Sequence, residues 1–204
     1  MTTTHHESTL VRRREIIDCA RRIIATRGAH GLTTRDLAHG VGLSEGAIYR
    51  HFRSKKDVLL GLIDEIEETL FECIERAKEE GDAPLEQLAN VLREHLSYTE
   101  RRRGVSFIVI SEVLSNGDRQ LRHRMHLVVE RYLRTVEGIL QEGIQSGQIR
   151  PTIDPKAAAI ALFGLVQGAV TLWHFTAREV PLAQRYQALW EVYRNGIVGE
   201  APHG

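Results

Sequence analysis

The sequence is short of most features that would give it a chemistry at sight. It has only two cysteines, Cys19 and Cys73. That is too few for a disulfide framework, and both fall inside helical patterns as small buried hydrophobes of a reduced compartment. No apolar run approaches ~18 residues, so a membrane span is not expected. The opening "MTTTHHESTLVRRRE" has charge but no apolar segment behind it, unlike a secretory leader. The expected location is the cytoplasm. Internal repeats and low-complexity tracts are missing, as are glycine-rich phosphate loops. There is no excess of either charge, since 27 Lys and Arg meet 27 Asp and Glu.

The balanced charge hides a dipole. Residues 1–56 hold eleven Lys and Arg against five acids, and the remainder is acidic by the same margin. A basic N-terminal quarter on an acidic body suits a head that faces a polyanion. Apolar spacing is helical throughout. Ile16, Ile17, Ala20, Ile23 and Ile24 recur at the 3.6-residue period, and Gly28 is a plausible stop. "LTTRDLAHGVG" reads as a short second helix, capped by Thr33 or Thr34 and broken by Gly40 and Gly42. Ser44 can cap a third helix to about Phe52. Ser54 can cap a long fourth, with Val58, Leu59, Leu62, Ile63, Ile66, Leu70 and Ile74 on one stripe. Beyond the connection at 79–86, helices are expected over 84–102, 105–114 (almost wholly apolar, hence buried), 118–147, 154–178 and 181–198. The fold class is all-α, about nine helices, with a three-helix head joined through helix 4 to a C-terminal bundle. The expected division is a disordered arm over 1–9, a head over 10–70 and a bundle over 71–204.

"GLSEGAIYRHFRSKKDVL" carries the functional signal. Residues 33–52 form a helix-turn-helix: two short helices about a glycine-bearing turn. If only Ile48 and Phe52 anchor the second helix, then Ser44, Glu45, Ala47, Tyr49, Arg50 and His51 face something wet and charged. Gly46 lets backbone approach a phosphate. Such a helix fits the DNA major groove, its N-terminal residues on base edges. Lys55 and Lys56 follow the Ser54 cap, where free N–H groups and the helix dipole already attract an anion. Arg12, Arg13 and Arg14 read as a solvated basic face.

"TTRDLAHGVGLSEGAIYRHFRSKKDVL" resembles the signature of the TetR/AcrR transcriptional regulators, over roughly residues 10–70. The likeness implies a homodimeric repressor of double-stranded operator DNA whose C-terminal domain binds a small effector. Tyr49, His51 and Lys55 would then contact phosphate, with Thr34 and Arg35 near the backbone. Ser44, Glu45, Ala47 and Arg50 would take base-edge and flanking positions. Val41 stands where alanine is usual and Ala47 where threonine is frequent. Ala47 would leave a methyl contact, for example to a thymine.

By the same resemblance an effector pocket would draw on Phe71, Leu92, Phe107, Ile110, Val113, Leu114, Met125, Val129, Tyr132, Phe163 and Gln167. No cation is clearly buried among them, which favours an apolar effector. Ala157, Ala161, Gly164 and Gly168 fall on one face of their helix, letting another helix come near. With Tyr186, Leu189, Trp190 and Tyr193 of the last helix, they form the expected dimer interface. "HRMH" sets His123 and His126 at chelating spacing, with Glu112 or His174 as conceivable third ligands. Interleaved Arg122 and Arg124 make surface histidines the default, and neither metal nor cofactor is expected. Glu112, Glu130 and Glu137 lack a partner or nucleophile, so an enzyme is the remote alternative. The nearer one is a nucleoid-associated cell-division regulator on the same scaffold, needing no effector.

Overall fold

The computed structural model describes residues 3–176 and 179–198, and side chains from Thr9 onward. Among the described residues there is helix and no strand. The helices are α1 Thr3–Arg27, α2 Thr34–Val41, α3 Glu45–His51, α4 Lys55–Glu79, α5 Pro84–Arg101, α6 Val105–Asn116, α7 Arg119–Gln145, α8 Pro155–Phe175 and α9 Tyr186–Ile197. Short 3-10 turns occupy Ala29–Gly31 and Leu182–Arg185.

Local chemistry explains the helix starts. Thr33 caps α2 by accepting from the Asp36 amide at 3.1 Å. Ser44 caps α3 through the Ala47 amide at 3.2 Å. At α4 the cap is reciprocal. Ser54 Oγ accepts from the Asp57 amide, and Asp57 Oδ2 accepts from the Arg53 amide. Pro84 and Pro155 sit in first turns, where their missing N–H costs nothing. Gly42 ends α2 at φ 67°, a left-handed cap that glycine adopts without strain. Gly40, expected from the sequence to break α2, does not. It lies inside the helix, where a Cβ would stand 2.3 Å from Cys19 Sγ, so α1 and α2 meet where glycine leaves room.

The chain forms two compact units. The first comprises residues up to Glu68 together with Val105–Met125. Its core is Ile16, Ala20, Ile24, Ile48, Leu62 and Ile63, all at most 1% exposed. The second comprises Thr69–Gly104 and the chain from His126 onward. Leu88, Val91, Leu92, Leu96, Val136, Leu140, Leu162 and Val166 are all fully buried there. Helices α4 and α7 contribute residues to both units.

Three features differ from the sequence expectation. Helix α1 begins at Thr3, inside the stretch expected as a disordered arm. The division near residue 70 leaves out α6, which groups with the N-terminal unit although it follows it by 36 residues. Nor is α6 buried all round: only Val105, Val109 and Val113 are buried, while Leu114 is 70% exposed. Helix α8 is long and apolar enough to cross a membrane by length and composition only (mean hydropathy 1.6), and 39% of that window is buried.

Candidate DNA-reading surface and effector core

Helix α3 turns two residues inward and the rest out. Ile48 and Phe52 are buried at 1% and 2%, as the sequence required of its anchors. Glu45, Gly46, Tyr49 and Arg50 are exposed, as is the Ser44 cap. Nothing lies within 4 Å of a Cβ built on Gly46, so the helix start is open to close approach. Thr34 Oγ1 lies 3.4 Å from Tyr49 OH, linking the start of α2 to the exposed ring, and Arg35 is exposed beside it. The proposed base contact at Ala47 is corrected by packing. That methyl is 6% exposed and belongs to the core side of α3.

His51 and Arg13 have structural duties. Arg13 donates to the His51 carbonyl at the end of α3 and lies 4.2 Å over the Phe52 ring. It fixes the exit of α3, where the sequence suggested only a solvated face. His51 is half-buried and its Nδ1 has no partner among the described residues. Burial, then the charges of Arg13, Arg50 and Arg12, hold its imidazole below the usual histidine range.

The two lysines opening α4 are occupied within their own unit. Lys55 Nζ lies 3.1 Å from Glu112 Oε1 on α6. Lys56 Nζ lies 3.1 Å from Asp118 Oδ2. Asp118 also caps α7, accepting from the Gln120 and Leu121 amides at 2.9 and 3.0 Å. Those hydrogen bonds, with Lys56, hold its carboxyl below the usual range. Glu112 therefore has a cationic partner that sequence reading did not supply. Glu130 pairs with Arg134 at 3.1 Å and Glu137 accepts from Gln141 at 3.2 Å. His123 and His126 are exposed, while Arg124 between them donates to Asp64 and Glu67 of α4. No metal-holding group of three His, Cys, Asp or Glu occurs among the described residues.

The residues expected to line a pocket are divided between the two units. In the first unit Val113 and Met125 are buried, Phe107 and Ile110 are half-exposed, and Leu114 faces outward, so it lines nothing within that unit. In the second unit Phe71, Leu92 and Tyr132 are buried, and Val129, Phe163 and Gln167 are partly so. Sequence reading missed His95 and Thr99 there, buried at 4% and 1% on α5. Their signal was available: both interrupt the apolar stripe Leu88, Val91, Leu92 and Leu96. His95 Nδ1, Thr99 Oγ1 and Tyr132 OH are shielded from solvent without a partner among the described residues. Each such group costs about 1–3 kcal/mol.

On α8, Ala157, Ala161, Gly164 and Gly168 are exposed, and no atom lies within 4 Å of a Cβ built on either glycine. Ile160, Leu172 and Phe175 are exposed on the same helix. A groove of about 640 Å³ runs along Ala161, Gly164, Gly168, Leu172 and Leu189. Tyr186 and Trp190 are half-exposed, but Tyr193 is corrected. It is 5% exposed and donates to the Ala158 carbonyl at 3.0 Å, tying α9 to α8 in its own chain.

The profile of the bacterial regulatory proteins of the tetR family matches residues 16–62, and that of the YsiA-like C-terminal region matches residues 62–196. The fatty acid metabolism regulator protein of Bacillus subtilis is 30% identical, covering 90% of this chain and 94% of its own. The nucleoid occlusion factor SlmA of Vibrio atlanticus is 34% identical, covering 88% and 92%. The crystal structure of the transcriptional regulator FadR from Bacillus subtilis, in complex with stearoyl-CoA, superposes with a TM-score of 0.81 at 29% identity, covering 90% of this chain and 98% of that one.

Proposed function

Because this chain belongs to the tetR family of bacterial regulatory proteins, and is thereby a DNA-binding regulator of transcription, we propose that it is a cytoplasmic homodimeric repressor released by a long-chain acyl thioester. The observation that carries the DNA reading is the two-sidedness of α3, with Ile48 and Phe52 inward and Glu45, Tyr49 and Arg50 outward. Tyr49, His51, Lys55, Thr34 and Arg35 would hold phosphates, which position the head. Ser44, Glu45 and Arg50 would read or flank base edges. The effector domain would be the second unit, where an aromatic and aliphatic interior holds a few neutral polar groups. The acyl thioester is suggested by the stearoyl-CoA complex of the relative.

The effector can shift DNA binding only through a preference for one state, so effector and operator must weaken each other reciprocally. The test recovers genomic fragments with the purified protein, then titrates stearoyl-CoA into the complex. Release over the range in which stearoyl-CoA binds the protein supports the proposal. Fragments no better bound than random DNA would remove the operator, and unaltered binding in saturating stearoyl-CoA would remove the effector.

A second reading is a nucleoid-associated regulator without an effector. It is favoured by the likeness to SlmA and by the closed packing around Leu88, Leu92, Leu96 and Val136. Many dispersed genomic sites, all insensitive to acyl thioesters, would select it.

A further inference from the structure

Several polar side chains of the second unit have partners within it. Asn90 donates to the Ala77 carbonyl at 3.2 Å. Tyr98 OH and Thr69 Oγ1 pair at 3.1 Å, and Tyr193 donates to the Ala158 carbonyl. Against that background His95 Nδ1, Thr99 Oγ1 and Tyr132 OH stand without a protein partner among the described residues. They are also neighbours. His95 and Thr99 are one turn apart on the same face of α5. The His95 and Tyr132 rings meet edge to face with centroids 5.0 Å apart. Phe163 of α8 lies against the other side of Tyr132 at 5.6 Å. Leu92 and Leu96, both fully buried, flank His95 along α5.

We propose that His95, Thr99 and Tyr132 form a polar point of the effector site and bind the neutral carbonyl oxygen that heads the ligand's apolar acyl chain. This rests on the reading of the second unit as an effector domain. Two of these three donors, the hydroxyls and the imidazole N–H, are enough to fill both lone pairs of a carbonyl oxygen, which has no proton of its own. The apolar walls suit the attached chain. The trio has no use for a carboxylate, because burial keeps it uncharged. His95 is lowered to about 4 by desolvation, and the Tyr132 hydroxyl is raised by it, so both are neutral near pH 7. A charged ligand would lose its hydration and find no counter-charge in these three side chains.

The test compares stearoyl-CoA with octadecyl-CoA, the thioether lacking only the carbonyl, by calorimetry on the purified dimer without DNA. Wild type is expected to prefer the thioester by about tenfold. Tyr132→Phe and Thr99→Val keep the side-chain shapes, and thermal melts with circular dichroism confirm that each is folded. Each should shrink the preference several-fold, the pair together should leave only the part that His95 supplies, and thioether affinity should stay the same. Equal affinity of wild type for both ligands would overturn the carbonyl assignment and leave the effector domain standing. Binding of neither ligand would remove both. A preference undiminished in the double variant would mean that the trio holds bound water and that the carbonyl is read elsewhere.

Discussion

At the scale of single residues, burial decides chemistry. His95 is buried and lowered to about 4, against 6.5 for the free side chain. The folded state therefore resists protonation, while the unfolded chain accepts a proton below 6.5. The stability this contributes is full above that value and is lost as the pH falls from 6.5 towards 4. Between pH 7 and pH 5 the loss should be roughly 2 kcal/mol, read as a lower urea midpoint. His95→Phe should remove that part of the slope; an unchanged slope would show that His95 does not control it. Tyr49 illustrates the opposite environment. Half-exposed on α3, with its hydroxyl near Thr34, it is the proposed phosphate contact. Tyr49→Ala should weaken binding to all DNA sequences alike, whereas Arg50→Ala should change which sequences are preferred. Binding of both variants to a randomised site library measures this; a Tyr49 variant with altered preference would place the ring on a base edge.

At the scale of elements, α6 and the start of α4 form an electrostatic pair. Exposed ion pairs such as Lys55–Glu112 contribute only about 0.2–1 kcal/mol to folding. Their larger consequence is for DNA, because a phosphate at the α4 start must displace the carboxylate. Glu112→Gln should therefore strengthen binding several-fold at low salt. Lys55→Ala should weaken it and reduce the log-affinity versus log-salt slope by about one unit. Fluorescence anisotropy on labelled DNA at several salt concentrations reads both. If Lys55→Ala changed neither affinity nor slope, α4 would dock no phosphate, and a neutral Glu112→Gln result would show that the pair does not compete.

At the scale of the whole molecule, the expected two-fold interface falls on a face of α8 that the described residues leave exposed. Gly164 has open space where a side chain would go, so Gly164→Leu should fold normally. If α8 packs on its counterpart in a second copy, the added side chain should separate the protomers. The monomer should lose most operator affinity, since one head lacks the second half-site about one helical turn, ~34–36 Å, away. Sedimentation and DNA binding check the two effects. A dimeric Gly164→Leu protein with normal DNA affinity would place the interface elsewhere, with α8 covered by some other partner. Glycines inside a helix cost about 1 kcal/mol each relative to alanine, so a compensating close contact is the reason to look here.

The helices and the helix-turn-helix were legible in the sequence because their causes act within a turn or two. Thr33, Ser44 and Ser54 each reach the amide three residues on, and Gly42 supplies its own left-handed cap. The 3.6-residue stripe likewise marks Ile48 and Phe52 as anchors before any partner is known. What lies opposite a helix face is set by packing between residues distant in sequence, and there the tertiary structure decided. It turned Ala47 and Tyr193 inward and Leu114 outward. It brought Glu112 to Lys55 across 57 residues and Tyr132 to His95 across two helices. It also grouped α6 with the reading head that precedes it. A single sequence records each residue's own preference for water, but not which neighbour will take the water's place.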